Sequence, residues 1–225
     1  MNPRQAPPRT DLPFLRHRRI AATAGPLSLA APVARRVAPV RRVTAQQPLI
    51  LTPPMPAAVL TRVQSGVGRL TVTARWNSPL AAGPVAAGLV VAYRKTTGEA
   101  RLLSPLDGPY LESDNVRLDH RAGAPVLTVD LLRVRAIDRL LLACLAPASP
   151  LTGALILTTY GGSRVDLPVT LPAGFGAAAL MTAYQVDGEL VLRAEQDPVG
   201  GTVRDACLAY GYDRFTWLNP NTPVR

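Results

Sequence analysis

Residues 181–195 read Met-Thr-Ala-Tyr-Gln-Val-Asp-Gly-Glu-Leu-Val-Leu-Arg-Ala-Glu, and this stretch decides the fold class. Asp187-Gly188 is a favoured two-residue hairpin turn, because both central positions need positive φ and Asp and Gly tolerate it. The flanking runs, 181–185 and 189–195, have the composition of strands. The pattern predicts a β-hairpin.

Working outward, the same texture recurs. Residues 67–75 alternate in part and are rich in β-branched side chains. Residues 85–94, 116–118, 125–131, 155–160 and 165–169 are further short apolar runs. Residues 136–144, apolar apart from Asp138 and Arg139, form a run expected for a buried strand. Turn signals separate these runs at Thr97-Gly98, Asp107-Gly108, Gly161-Gly162 and Ala173-Gly174. Many short strands with frequent turns predict a mainly β fold, an antiparallel β-sandwich with one or two short helices. One helix is expected near the end. Thr202-Val-Arg-Asp205 is a capping box, Val203, Ala206, Cys207 and Tyr210 share one helical face, and Gly211 is a plausible stop.

The N-terminal part reads differently. Of 225 residues with a net charge of +10, residues 1–43 hold nine arginines and one acid, Asp11, so they carry +8. Eleven of the 23 prolines fall in residues 1–56. Proline removes donors and fixes φ, which argues against a long helix or central strand. The expected organisation is a disordered Arg/Pro-rich arm and linker over 1–56, followed by the sandwich over 57–225. Three readings of the arm stand open. Arg16, Arg18, Arg19, Arg35, Arg36, Arg41 and Arg42 are candidate phosphate or anion contacts for a nucleic acid or an anionic membrane surface. Arg18-Arg19-Ile20 faintly suggests a targeting signal. The plain reading is a solvated tail or a misassigned start, since 24 arginines to one lysine, Lys95, points to a GC-rich genome.

Several classes fall away. Two cysteines, Cys144 and Cys207, make no disulfide scaffold, and each sits in an apolar stretch suited to a buried thiol. No apolar run is long enough for a spanning helix. His17 and His120 alone offer little for a histidine metal site or triad, and no P-loop, nucleophile-elbow or zincin pattern occurs. The chain is read as non-enzymatic and cytoplasmic, at most peripheral to a membrane. Asp130 and Asp138 are expected to ion-pair at the surface with Arg133, Arg135 and Arg139. Tyr184 is expected as a cross-strand residue, and Trp76 and Trp217 as apolar anchors.

The order of motifs resembles the TerD family of tellurium-resistance and bacterial stress proteins. The residues that carry the resemblance are Trp76-Asn-Ser-Pro79, Val116-Arg-Leu-Asp119, Val129-Asp-Leu131, Ile137-Asp-Arg-Leu140, the hairpin from Ala183 to Ala194, and Gly200-Gly201 through Tyr210-Gly211. It covers roughly residues 60–218 and is strongest from Val129 onward. The resemblance implies a β-sandwich and an acid-rich calcium site. Here the early strand reads Val85-Ala-Ala-Gly-Leu89 without an acid, and the middle loop keeps Glu112, Asp114, Asn115 and Asp119 beside Arg117 and Arg121. Calcium takes 6–8 oxygens, several from carboxylates. The implied site is degenerate, with Asp114, Asn115 and Asp119 as weak calcium candidates and no other cofactor. The expected role is a stress-response or scaffold protein that binds other proteins. The rival is an arginine-armed structural or nucleic-acid-associated protein whose sandwich self-associates.

Overall fold

The computed structural model describes residues 41–77, 88–120, 124–145, 150–174 and 176–224. Its elements follow the chain as β1 (Arg41–Arg42), β2 (Leu49–Ile50), β3 (Ala57–Leu60), α1 (Arg62–Gly66), β4 (Arg69–Asn77), β5 (Leu89–Lys95), β6 (Ala100–Leu103), β7 (Tyr110–Ser113) and β8 (Val116–Asp119). Next come β9 (Val126–Asp130), β10 (Ile137–Leu145), β11 (Leu151–Thr159), β12 (Arg164–Leu171), β13 (Ala177–Val186), β14 (Glu189–Pro198), α2 (Val203–Ala209), β15 (Trp217–Asn219) and β16 (Thr222–Pro223). Short 3-10 turns span Pro105–Asp107 and Leu131–Ala136.

Two seven-stranded sheets face each other. The first has the order β1-β3-β14-β13-β10-β5-β6 and the second β2-β12-β11-β4-β9-β8-β7. Pairing is antiparallel except where β1 joins β3 and β2 joins β12. The fold is the mainly β sandwich the hairpin predicts. Asp187 and Gly188 turn it with φ of 50° and 81°.

Side-chain alternation sets the core. In β4, Leu70, Val72, Ala74 and Trp76 point inward, while Arg69, Arg75 and Asn77 are exposed. They meet Leu142, Leu180 and Leu192 of the first sheet in one continuous apolar cluster. The first sheet is covered on its outer side as well. Residues 199–217 lay Val203, Cys207, Tyr212, Phe215 and Trp217 over Val90, Ala92, Leu141, Ala143 and Ala179. That third layer explains why β10 is apolar at consecutive positions: both of its faces are buried. Helix α2 starts at Thr202, whose side chain accepts from the Asp205 N–H while Asp205 returns the bond, and Gly211 ends it at φ 74°. Cys144 and Cys207 are both buried, and burial pushes each thiol up to about 12.

The boundary expected at residue 56 falls inside the sandwich. Val43 and Leu51 are buried, and the Val43 and Leu51 N–H groups donate to Val59 and Asp166 carbonyls. Residues 41–51 thus run from the edge of the first sheet to the edge of the second. The short pieces between prolines suffice for two-residue ladders, which the proline density does not forbid. Residues 1–40 lie outside the described residues.

Candidate binding surfaces

The three calcium candidates do not converge. Asp114 occupies the β7–β8 turn at φ 55°, and its Oδ2 lies 2.9 Å from Lys95 Nζ and 3.0 Å from the Tyr93 hydroxyl. Lys95 also bonds Glu99 Oε2 at 2.8 Å, and Glu99 in turn pairs with Arg101. The hydrogen bond from Lys95 holds the Asp114 carboxyl below its usual range, and the same contact raises Lys95. Burial pushes the Tyr93 phenol up to about 12. The Asn115 side chain donates to the Asp130 carbonyl at 3.4 Å. Asp119 ends β8, about 13 Å farther along an extended strand. Among the described residues no three His, Cys, Asp or Glu side chains gather as a metal-binding group. This polar cluster ties β5 to the β7–β8 turn, a contact between the two sheets.

A second polar group lies on the outer face of the first sheet, beside the C-terminal layer. Arg139 is buried, donates to the Gly211 carbonyl, and stacks 4.5 Å above the Tyr212 ring. It was expected at the surface, pairing with an acid. Instead Arg94 takes the Asp138 carboxylate, and Asp130 caps the 131–136 turn by accepting the Leu132 N–H at 3.0 Å. Tyr184 stands beside Arg139 in the register, as a cross-strand residue. Thr182 Oγ1 donates to Glu195 Oε1 at 2.7 Å, Arg193 Nε is 3.6 Å from the same carboxylate, and burial raises the Glu195 carboxyl. The Tyr210 hydroxyl donates to Asp197 Oδ2 at 3.4 Å. Arg139 and the Tyr210–Asp197 bond fasten the C-terminal layer to the sheet, while the Thr182–Glu195 bond joins β13 to β14.

Between the sheets an apolar space of about 20 Å³ is lined by Leu70, Val129, Val134, Ile137, Met181 and Leu190 among others. That volume holds about one water molecule.

Among the described residues no helix packs on the outer face of the second sheet: α1 packs on β3, β14 and the 131–136 turn, and α2 on β10 and β13. Strand register lines up Glu112, Arg117, Thr128, Thr71, Thr158 and Arg164 in one row across six strands. Its centre is a ladder of threonines. At its flanks Arg117 pairs with Glu112 at 3.4 Å and Arg164 with Asp166 at 2.7 Å.

One end of the sandwich is amphipathic. Helix α1, the 131–136 turn and the β11–β12 turn meet there. The Leu131 N–H donates to the Gly68 carbonyl, and Tyr160 packs so closely on Gly68 that a Cβ at that glycine would overlap the Tyr160 side chain. Val63 is 73% exposed, Val67 49%, Leu132 71% and Tyr160 78%. Arg62, Arg133 and Arg135 are exposed on the same elements, and Arg69 is exposed at the start of β4 beside them. The sequence reading missed this surface. Its local signal is the alternation of cation and apolar residue in Arg62-Val63, Val67-Gly-Arg69 and Leu132-Arg133.

Of the arm candidates, Arg16, Arg18, Arg19, Arg35 and Arg36 lie outside the described residues. Arg41 and Arg42 are in β1, and Arg42 pairs with Glu189 Oε1 at 2.7 Å, so it already has an anionic partner. No described helix is long and apolar enough to cross a membrane.

No family model and no curated protein matches the chain. Among solved structures it is similar to one described as "Crystal structure of unknown function protein SAV2460", with 14% identity over 59% of this chain and 92% of that chain, and a TM-score of 0.36. Overlap at that level bears on neither fold nor function.

Proposed function

We propose that the protein is a non-enzymatic binding module of TerD-like type, whose rigid sandwich presents a surface to a protein partner. The observation that carries this is the outer face of the second sheet, which no described helix covers, with its six-strand row centred on Thr128, Thr71 and Thr158. Short hydroxyl side chains on a firmly paired sheet lose little entropy on contact, and the flanking ion pairs set a charge pattern for register. The motif resemblance supports a role in the bacterial stress response.

The test places a photo-crosslinking residue at Thr71, in the full chain and in its host cell. A discrete adduct with another protein is expected, absent when the same residue replaces Leu106. Equal labelling at both positions would overturn the reading. A self-adduct at Thr71 would favour the rival, in which the sandwich assembles with copies of itself.

That rival has its own observation, the +8 charge of residues 1–43. If these arginines neutralise phosphates, affinity for duplex DNA falls with salt at a slope of about −0.9 per phosphate contacted.

A further inference from the structure

We infer that the amphipathic end of the sandwich docks on an anionic lipid bilayer, with Val63, Val67, Leu132 and Tyr160 entering the interface and Arg62, Arg69, Arg133 and Arg135 lying against the lipid phosphates. The inference deepens the reading of the sandwich as a binding module by naming a partner for a second surface. It concerns the folded body and is separate from any contact made by the arm.

Four large apolar side chains, each about half exposed or more, form an unusual patch at one end, since exposed apolar residues normally scatter singly. They stand on α1 and on tight turns, and each tip projects from the end of the sheets. Protein interfaces also enrich arginine and tyrosine, but they gather apolar anchors into a fully buried centre with the polar groups at its rim. Here every element that carries an apolar tip except the β11–β12 turn carries an arginine within two residues of it. That interleaving suits a boundary where hydrocarbon and phosphate lie within a few ångströms of each other. Tyrosine, with an apolar body and a polar tip, is enriched at that depth.

Charge complementarity points to the anionic lipid. None of Arg62, Arg69, Arg133 and Arg135 forms an ion pair among the described residues. The acids at this end are Asp130, whose Oδ1 accepts from the Leu132 N–H, Asp187 at the hairpin turn, Glu189, which pairs with Arg42, and Glu99, Asp114 and Asp138, which pair with Lys95, Arg101 and Arg94. Excess positive charge is left facing outward.

The test uses the full chain carrying Leu132→Cys, labelled with a polarity-sensitive fluorophore. The native thiols do not compete, because both are buried and hold their protons to about 12. The comparison is Leu106→Cys, 58% exposed on the β6–β7 connection at the opposite end. With vesicles of phosphatidylcholine and phosphatidylserine, the Leu132 probe should shift to the blue and be quenched by spin-labelled lipid, while the Leu106 probe stays unchanged. Replacing Arg133 and Arg135 by serine should weaken binding roughly 25-fold, at about a factor of five per arginine near the surface. Four outcomes would overturn the inference: no vesicle binding, binding with an unshifted Leu132 probe, equal shifts at both probes, or equal binding to pure phosphatidylcholine. A blue shift that grows with protein concentration without lipid would assign the patch to a second copy and overturn it too. The Thr71 crosslink is read independently, so loss of lipid binding leaves the protein-partner reading standing.

Discussion

Glu195 shows what a single burial does. Its carboxylate sits under the C-terminal layer with Thr182 donating to it and Arg193 nearby, yet burial dominates and raises its pKa above the ordinary glutamate value of about 4.3. The folded chain therefore holds this proton more tightly than the unfolded one. The sign follows: its contribution to stability is fully present below the unfolded value and is lost as pH rises through the folded value. Glu195→Gln keeps an acceptor for Thr182 and abolishes the titration. The melting midpoint of the variant relative to the parent should climb as pH rises from about 4 toward neutrality. Thermal melts at a series of pH values check this. A difference that stays flat with pH, or runs the other way, would mean that Glu195 is not the group responsible. Lys95 and Asp114 show the opposite case, a carboxylate held below its ordinary range by the hydrogen bond from its partner cation.

Elements differ in how much of themselves the sequence reveals. The β13–β14 hairpin is legible because turn chemistry and strand composition agree within fifteen consecutive residues. Helix α2 is legible for the same reason, since its cap, apolar face and glycine stop are local. Strand β10 is readable as a buried strand, but what covers its outer side is not, because the cover arrives from residues 199–217. Strands β1 and β2 are illegible. Each is two residues long, set among prolines, and β2 finds its partner at Val165-Asp166. Their importance is testable. A chain beginning at residue 57 loses the buried Val43 and Leu51 side chains, each worth about 1.5–3 kcal/mol of burial. It should unfold at lower urea than a chain beginning at residue 41, with the loss approaching the sum of those two contributions. Equal midpoints would show that residues 41–51 merely rest on the sandwich. The amphipathic end was likewise out of reach, since α1, the 131–136 turn and Tyr160 meet only through the sheet topology.

At the scale of the molecule, three layers stack: the second sheet, the first sheet and the C-terminal cover. The polar clusters lie at the seams between layers, where Asp114, Asp197, Tyr93 and Tyr210 each have a hydrogen-bonding partner. Of the candidate calcium residues, Asp114 bridges the two sheets through Lys95 and Tyr93, and Asn115 holds its turn to the end of β9. Adding millimolar calcium, then excess chelator, should leave the melting midpoint of the whole protein unchanged. A ligand at 100 times its dissociation constant would stabilise by about 2.7 kcal/mol, a shift easily seen. Such a shift, reversed by chelator, would contradict the assignment and restore the TerD-like metal site.

The long-range pairing of the N-terminal strands also sets a timetable for synthesis. Strand β3 pairs with β14, with Leu60 opposite Leu190, and β2 pairs with β12, with Leu49 opposite Val165. Neither can find its place until those partners leave the ribosome, on the order of ten seconds later at ordinary elongation rates. For that interval Val43, Leu51 and Leu60 are carried in water on a nascent chain whose leading residues are densely positive. The prolines that obscure β1 and β2 in the sequence then have a use, because they deny this waiting segment the backbone donors needed to pair with a neighbouring chain.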